Sequence, residues 1–224
     1  PEEVAAVAQM SGADIQQPAA GGTNTTEPAP GNNNGAAPLS NAGARVPTLA
    51  TKFALIIGNS ETKLANLGVA SASDDAQYLR DALMANAGYA ESNIDLSINA
   101  TAAQMMASAK ALADRIPEGA TVFIFFSGVG TNLDGKDYLA GVDTESATDA
   151  ASMASKMELY RLFMNKGARI FSFFQVNRPI TAGRYFGMEV PQVGSISQMQ
   201  ATIPGESALW SPKNGKDRGV FVDA

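Results

Sequence analysis

The chain has 224 residues and a formal net charge of −6, and its 16 Lys and Arg are scattered with no basic run, which argues against a nucleic-acid-binding surface. It contains no Cys and no His. That removes disulfides, thiolate nucleophiles and thiolate metal sites, together with the usual general base near neutral pH and the commonest metal ligand, so any chemistry must come from carboxylates, Lys, Tyr, Ser or Thr.

The first residues, 1–10, read as a short helix, with Glu2 and Glu3 favourably placed near its N-terminus. Residues 11–50 hold Gly21-Gly22, Thr23-Asn24-Thr25-Thr26, Pro28-Ala29-Pro30-Gly31 and Asn32-Asn33-Asn34-Gly35. Such a stretch lacks the apolar side chains to offset its ordering entropy and reads as a linker. If it is ordered, something must hold it, and the expectation is a neighbouring subunit. Residues 1–51 are thus taken as an extended low-complexity arm and 52–224 as the folded domain. Pro1 stands where Met would, as expected of a processed or partial chain. With the acidic, Cys-free, Asn/Thr/Ala/Gly-rich composition, this suits an exported bacterial protein in an extracytoplasmic setting. No stretch approaches the ~20 apolar residues of a membrane-spanning helix.

From Lys52 strands and helices alternate. Phe53–Ile57 is a short apolar run ending at Gly58-Asn59, a buried strand by length. Ser73-Asp74-Asp75 supplies a cap and first-turn acids for a helix carrying Ala76, Leu79, Leu83 and Ala87, closed by Gly88. Ile94–Ile98 alternates as a half-exposed strand. Thr101 opens a helix with Met105, Ala109, Leu112 and Ile116 along one stripe, ended by Pro117 and Gly119. Thr121–Phe126 reads as the central strand, and Asp134-Gly135 as the tip of a hairpin into Tyr138-Leu139-Ala140. A helix is expected over about 151–166, with Met153, Met157, Tyr160, Leu162 and Met164 as packing residues and Gly167 as its stop. Ile170–Phe174 is a further strand. This order predicts an α/β three-layer sandwich: a mainly parallel sheet with helices on both faces and right-handed crossovers. Function in such sheets gathers at the carboxyl ends of the strands. Here these are Gly58-Asn59-Ser60, Ser127-Gly128-Val129-Gly130 and Gln175-Val176-Asn177-Arg178.

Those three strand ends carry a resemblance to caspases and metacaspases. In that family the central strand ends in Ser-Gly-His-Gly or Ser-His-Gly, and here the match is Ser127-Gly128-Val129-Gly130. The next parallel strand ends in Gln-Ala-Cys-Arg-Gly or Asp-Ala-Cys-Arg, and here it reads Gln175-Val176-Asn177-Arg178-Pro179. Asp74-Asp75-Ala76, the Asp134-to-Asp143 stretch and the helix before the second strand fall in family order. Ala201–Trp210 looks like the small-subunit segment, and Gly219-Val220-Phe221 is similar to the Gly-x-Phe that opens that region's last helix. The resemblance implies a large-subunit-like part over 52–180 and a small-subunit-like part over 181–224, the latter expected to be truncated because the family continues past Gly-x-Phe. It places Val129 at the position of the catalytic His and Asn177 at that of the Cys. Neither side chain offers what attack and proton transfer need. The expectation is therefore a non-catalytic pseudo-caspase domain without cofactor, working through protein partners and self-association of the arm. The former substrate cleft would comprise Gly58, Asn59, Ser127, Gly128, Gln175 and Arg178. Gln175 matches a residue that in caspases helps form the pocket for the substrate's acidic side chain. A pseudoenzyme that holds a peptide in this cleft is the alternative. An unconventional hydrolase using Ser127 or Ser172 is the remaining reading, and nothing in the sequence places a base beside either.

Other signals are weaker in kind. Asp74-Asp75, Asp134/Asp137 and Asp143 supply oxygen ligands but match no calcium-loop spacing. Gly128 and Gly130 lack the third glycine and the helix entry of a dinucleotide loop.

Overall fold

The computed structural model describes residues 52–213 and 216–223. The short helix expected for 1–10 and the extended arm lie outside them. Five parallel strands form the core of the sheet: β1 (Lys52–Gly58), β2 (Ile94–Ile98), β3 (Thr121–Leu133), β6 (Arg169–Asn177) and β7 (Ile196–Gln200), in spatial order β2-β1-β3-β6-β7. Strand β3 outruns its parallel neighbours. Beyond Val129 it pairs antiparallel with β4 (Lys136–Ala140), which in turn pairs with β5 (Met153–Ser155). The β3–β4 tip is Asp134-Gly135, both at positive φ (50° and 82°), the backbone that a two-residue hairpin requires.

Alternation along the strands sorts side chains to two faces. Phe53, Leu55, Ile57, Val122, Ile124, Phe126 and Ile170 pack under helices α2 (Ala102–Arg115) and α3 (Lys156–Met164). Ala54, Ile56 and Phe125 face the other way, against α1 (Ala72–Asn86) and Val222 of α4 (Val220–Asp223). The described residues thus form the expected three-layer α/β sandwich, a mainly parallel sheet with helices on both faces. Each fully buried large side chain contributes about 1.5–3 kcal/mol, which makes the larger α2/α3 side the main source of stability.

Local sequence explains the helix ends. Thr101 and Gln104 form a capping box at α2, each side chain satisfying the other residue's backbone N–H. Helix α1 starts two residues earlier than expected. Its N-cap is Ser71, while the Ser73 hydroxyl lies 3.4 Å from the Gly58 carbonyl and 3.3 Å from Asn99 Oδ1. The helix expected over 151–166 is shorter than the sequence implies. Residues Ala150–Ser152 make a 3-10 turn and Met153–Ser155 pair with β4, because that strand offers an open edge. Only then does Ser155 cap α3, accepting the Glu158 N–H at 3.3 Å. Lys156, Leu159, Tyr160 and Phe163 form its buried face; of the expected packing residues Tyr160 is fully buried, Met157, Leu162 and Met164 are partly buried against the core, and Met153 packs from β5. Strand β7 has no counterpart among the expected elements, nor has the hairpin of β8 (Trp210–Lys213) and β9 (Lys216–Gly219).

Candidate functional site

The parallel part of the sheet ends where β1, β3 and β6 bring their carboxyl ends level. In register, Gly58 lies beside Ser127, Ser127 beside Gln175, and Val129 beside Asn177. Gly58 is required by close approach: a Cβ there would stand 2.2 Å from the Ala72 carbonyl oxygen at the start of α1. Gly128, at φ 156°, lies where a Cβ would meet the Phe126 ring at 2.9 Å.

Asn59 is 3 % exposed and acts as a staple. Its Nδ2 donates to the Ala100 carbonyl (3.1 Å) and the Ala140 carbonyl (3.2 Å), and its Oδ1 accepts the Ala100 N–H at 2.8 Å. Ser127 is fully buried and 3.4 Å from Gln175 Nε2. That amide nitrogen donates to Asp75 Oδ2 at 2.6 Å, and Asp75 Oδ1 accepts the Gly219 N–H at 2.8 Å. Burial pushes the Asp75 carboxyl above its ordinary range, against the opposing pull of the Gly219 N–H and of Ser71, Gln175 and Arg218. Gln175 Oε1 is buried without a partner. The Asp75 acceptor fixes which end of the Gln175 amide faces it, so the orphan is the oxygen.

The two positions that the resemblance assigns to catalysis are both buried. Val129 packs with Leu64, Ala140 and Met153. Asn177 Nδ2 donates to the carbonyls of Leu67 (2.7 Å) and Gly68 (3.1 Å), and its Oδ1 accepts the Ala208 N–H at 2.7 Å. One side-chain amide thereby ties the 59–71 loop to the 201–209 segment across the strand ends. Arg178, 6 % exposed, donates from Nε to the Phe186 carbonyl (2.7 Å) and from Nη1 to the Thr202 carbonyl, with its guanidinium over the Tyr185 ring. Burial lowers its pKa, partly offset by Tyr185 and Asp137.

An open cleft of about 540 Å³ lies next to this end of the sheet, lined by Gln175, Thr202, Ile203, Glu206, Leu209 and Val220 among others. Of the six residues expected in the former substrate cleft, Gln175 borders it. Gly58, Asn59, Ser127, Gly128 and Arg178 are buried and are not part of its lining. Asp75 is a first-turn acid of α1, as expected, and it also sits at the centre of the network. The signal was available, since Ala72, Asp75, Ala76 and Leu79 fall at helical spacing on one face of α1.

A second buried polar cluster lies under the 184–191 segment. Lys156 Nζ donates to Asp137 Oδ2 (2.6 Å), the Glu189 carbonyl (2.6 Å) and Gln198 Oε1 (3.1 Å), and both side chains of the ion pair are 0 % exposed. Asp137 also accepts Asn132 Nδ2 (2.7 Å) and the Gly187 N–H (2.8 Å). Burial lowers the Lys156 pKa, against the pull of Asp137. Ser172, one of the two candidate hydrolase serines, is buried here, 2.6 Å from the Tyr160 hydroxyl. Asp75, Asp137 and Asp143 belong to separate networks, and among the described residues no group of three or more carboxylates is gathered as a metal site. No helix among them is long and apolar enough to cross a membrane.

This arrangement defines an α/β protein with its site at the carboxyl ends of a parallel sheet. A model of the caspase domain, peptidase family C14, matches residues 51–202, more than half of the chain, and the chain belongs to that family. No curated protein matches it. Among solved structures, a structural-genomics protein from Geobacter sulfurreducens is 18 % identical over 56 % of this chain, with a TM-score of 0.42, a likeness that carries no argument. The match spans about half of that protein's chain (50 %).

Proposed function

We propose that this chain is a non-catalytic caspase domain that works through protein contacts, as a structural or assembly subunit of an extracytoplasmic or surface structure. One observation carries the loss of catalysis. Val129 and Asn177, neighbours in register at the ends of the two central strands, hold no titratable proton and are consumed by packing and hydrogen bonding. With no Cys and no His anywhere in the 224 residues, no neighbour can take over thiolate or imidazole chemistry. The assembly role is supported by the low-complexity composition of residues 11–50, which suits a segment held by another subunit. The exported setting is supported by composition alone.

Light scattering on the full chain and on a chain lacking residues 1–51 tests the reading. A regular oligomer is expected from the first and a folded monomer from the second. A monomeric full chain, or assembly that persists without the arm, counts against it. Turnover of a fluorogenic peptide panel that disappears in Ser127→Ala or Ser172→Ala would support the hydrolase reading instead.

A second reading is favoured by a specific feature, the cleft beside Gln175. A pseudoenzyme that holds a peptide there needs a cavity with exposed apolar walls beside a strand edge, and both are present.

A further inference from the structure

The geometry points to a cleft beside Gln175 that accepts a neutral, apolar side chain of an extended peptide and excludes an acidic one. This inference rests on the peptide-holding reading above and names the ligand class of that site.

Three features carry it. The first is the lining. Ile203, Leu209 and Val220 are 68 %, 73 % and 51 % exposed, and all three border the same cavity of about 540 Å³. Isolated exposed apolar residues are ordinary, whereas several around one concave surface mark a site that gains by being covered. The second is charge. The described lining contains no Lys or Arg, and its one ionisable group is the Glu206 carboxylate. An incoming carboxylate would be desolvated with no cation to receive it and a like charge at the wall. The acid-binding role that the resemblance attaches to Gln175 therefore lacks its electrostatic partner here. The third is Gln175 itself. The residue is 1 % exposed and lines the cleft, with its amide nitrogen held by Asp75 at 2.6 Å and the Gly219 backbone packed against the amide, so it presents a fixed, neutral wall.

The occupant follows from these features together. It must carry an apolar group of side-chain size without a negative charge, next to a backbone that can pair with a strand edge. A peptide in extended conformation supplies both at every residue. The cleft also begins where β7 ends: Gln200 is the last residue of that strand, and Ala201, Thr202 and Ile203 line the cavity. Strand β7 pairs only with β6 among the described strands, so a strand edge runs into the cleft.

The test uses the full chain, isotopically labelled, with three blocked amino acids as probes: the N-acetyl methylamides of leucine, aspartate and lysine. Amide shifts in two-dimensional NMR report where each binds and how tightly. The leucine probe is expected to give saturable shifts at the Gln175 side-chain amide and at residues 201–209, with affinity roughly tenfold or more above the aspartate probe. Leu209→Asp and Ile203→Asp change exposed side chains, so the spectrum should remain that of a folded domain while the leucine shifts disappear. Glu206→Lys should narrow the gap by raising affinity for the aspartate probe. The inference is overturned if aspartate binds as well as leucine, if leucine shifts survive both lining substitutions, or if no probe gives saturable shifts on a folded chain. Each of these outcomes leaves the assembly measurement untouched. Cleavage of a longer peptide in a parallel assay would instead sink the non-catalytic reading and leave the side-chain preference standing.

Discussion

Replacing Lys156 by Met should be among the most damaging single changes in this domain. The substitution keeps the length of the side chain and removes its charge. Asp137 would then be a carboxylate with a 0 % exposed side chain whose remaining donors are the Asn132 amide and the Gly187 N–H, at 2.7 and 2.8 Å. The Glu189 carbonyl and Gln198 Oε1 lose their shared donor as well. Breaking a buried pair by removing one partner costs about 3–5 kcal/mol, because the surviving charge is left without compensation. A domain of this size is stable by about 5–15 kcal/mol in all, so the loss is a large share of the total. Asp137→Asn strands the ammonium instead and should cost a similar amount. The double variant should be much less destabilised than the sum of the two, with a coupling of about 1.5–3 kcal/mol. Urea unfolding followed by far-UV circular dichroism measures all three, with unchanged m-values as the two-state check. Gly187 and Glu189 are tied down by this pair, so proteolysis between 184 and 191 should accelerate in the single variants. A Lys156→Met variant that loses less than about 1 kcal/mol would refute the reasoning, because it would place the pair in the energetic class of an exposed surface bridge.

Two further outcomes follow from the strand ends. Asp75 has its carboxyl pKa raised by burial, so folding favours its protonated form relative to the unfolded chain. Its contribution to stability is therefore fully present below the unfolded value of 3.8 and is lost as pH rises through the folded value. Asp75→Asn should flatten that stretch of the stability-against-pH curve, measured as urea midpoints across the acid range; an unchanged slope would contradict the assigned burial. Asn177→Ala removes two donated hydrogen bonds and one accepted, and leaves the Leu67 and Gly68 carbonyls and the Ala208 N–H to find other partners. The expected cost is about 1–3 kcal/mol in thermal or urea unfolding, with no peptidase activity gained or lost.

The architecture was legible because the elements that build it are the strongly patterned ones. The Phe53–Ile57, Thr121–Phe126 and Ile170–Phe174 runs are β1, β3 and β6, and the capping box at Thr101 marks the start of α2. What escaped were elements whose form is set by a neighbour rather than by their own pattern. Residues Met153–Ser155 have an apolar spacing that suits a helix, yet β4 offers them an edge to pair with, and tertiary pairing overrides local propensity. Strand β7 is Ile-Ser-Gln-Met-Gln, with apolar residues three apart and no period of two; it exists because β6 has an open side. The strand ends show the same division. Pattern located Gly58, Ser127 and Gln175 at one level of the sheet, but not which of them meets open space. That depends on what packs against each: Ala72 and Ala76 on Gly58, Ala100 and Ala140 around Asn59, and Phe186 and Thr202 around Arg178.

The fate of the two central positions illustrates how a chemical site becomes a structural one under the proposed reading. A nucleophile and a base must keep a free lone pair or proton, an approach path and nearby water, all of which work against stability. Val129 meets none of these needs. It fills a small apolar cluster between the 59–71 loop and the β4–β5 extension. An imidazole in its place would need partners for two ring nitrogens among Leu64, Ala140 and Met153, which offer none from their side chains. Asn177 has the opposite character, a polar group whose every bond is spent on the backbone of the two covering segments. A thiol there would make weaker versions of the same bonds and loosen both segments at once. Stability and chemistry therefore pull these two positions in opposite directions, and the side chains present are the ones that stability prefers. Gln175 is the exception. It keeps an acceptor without a hydrogen-bond partner under Gly219 and beside a cavity, and so the strand end where binding is proposed is also the one that packing has left unfinished.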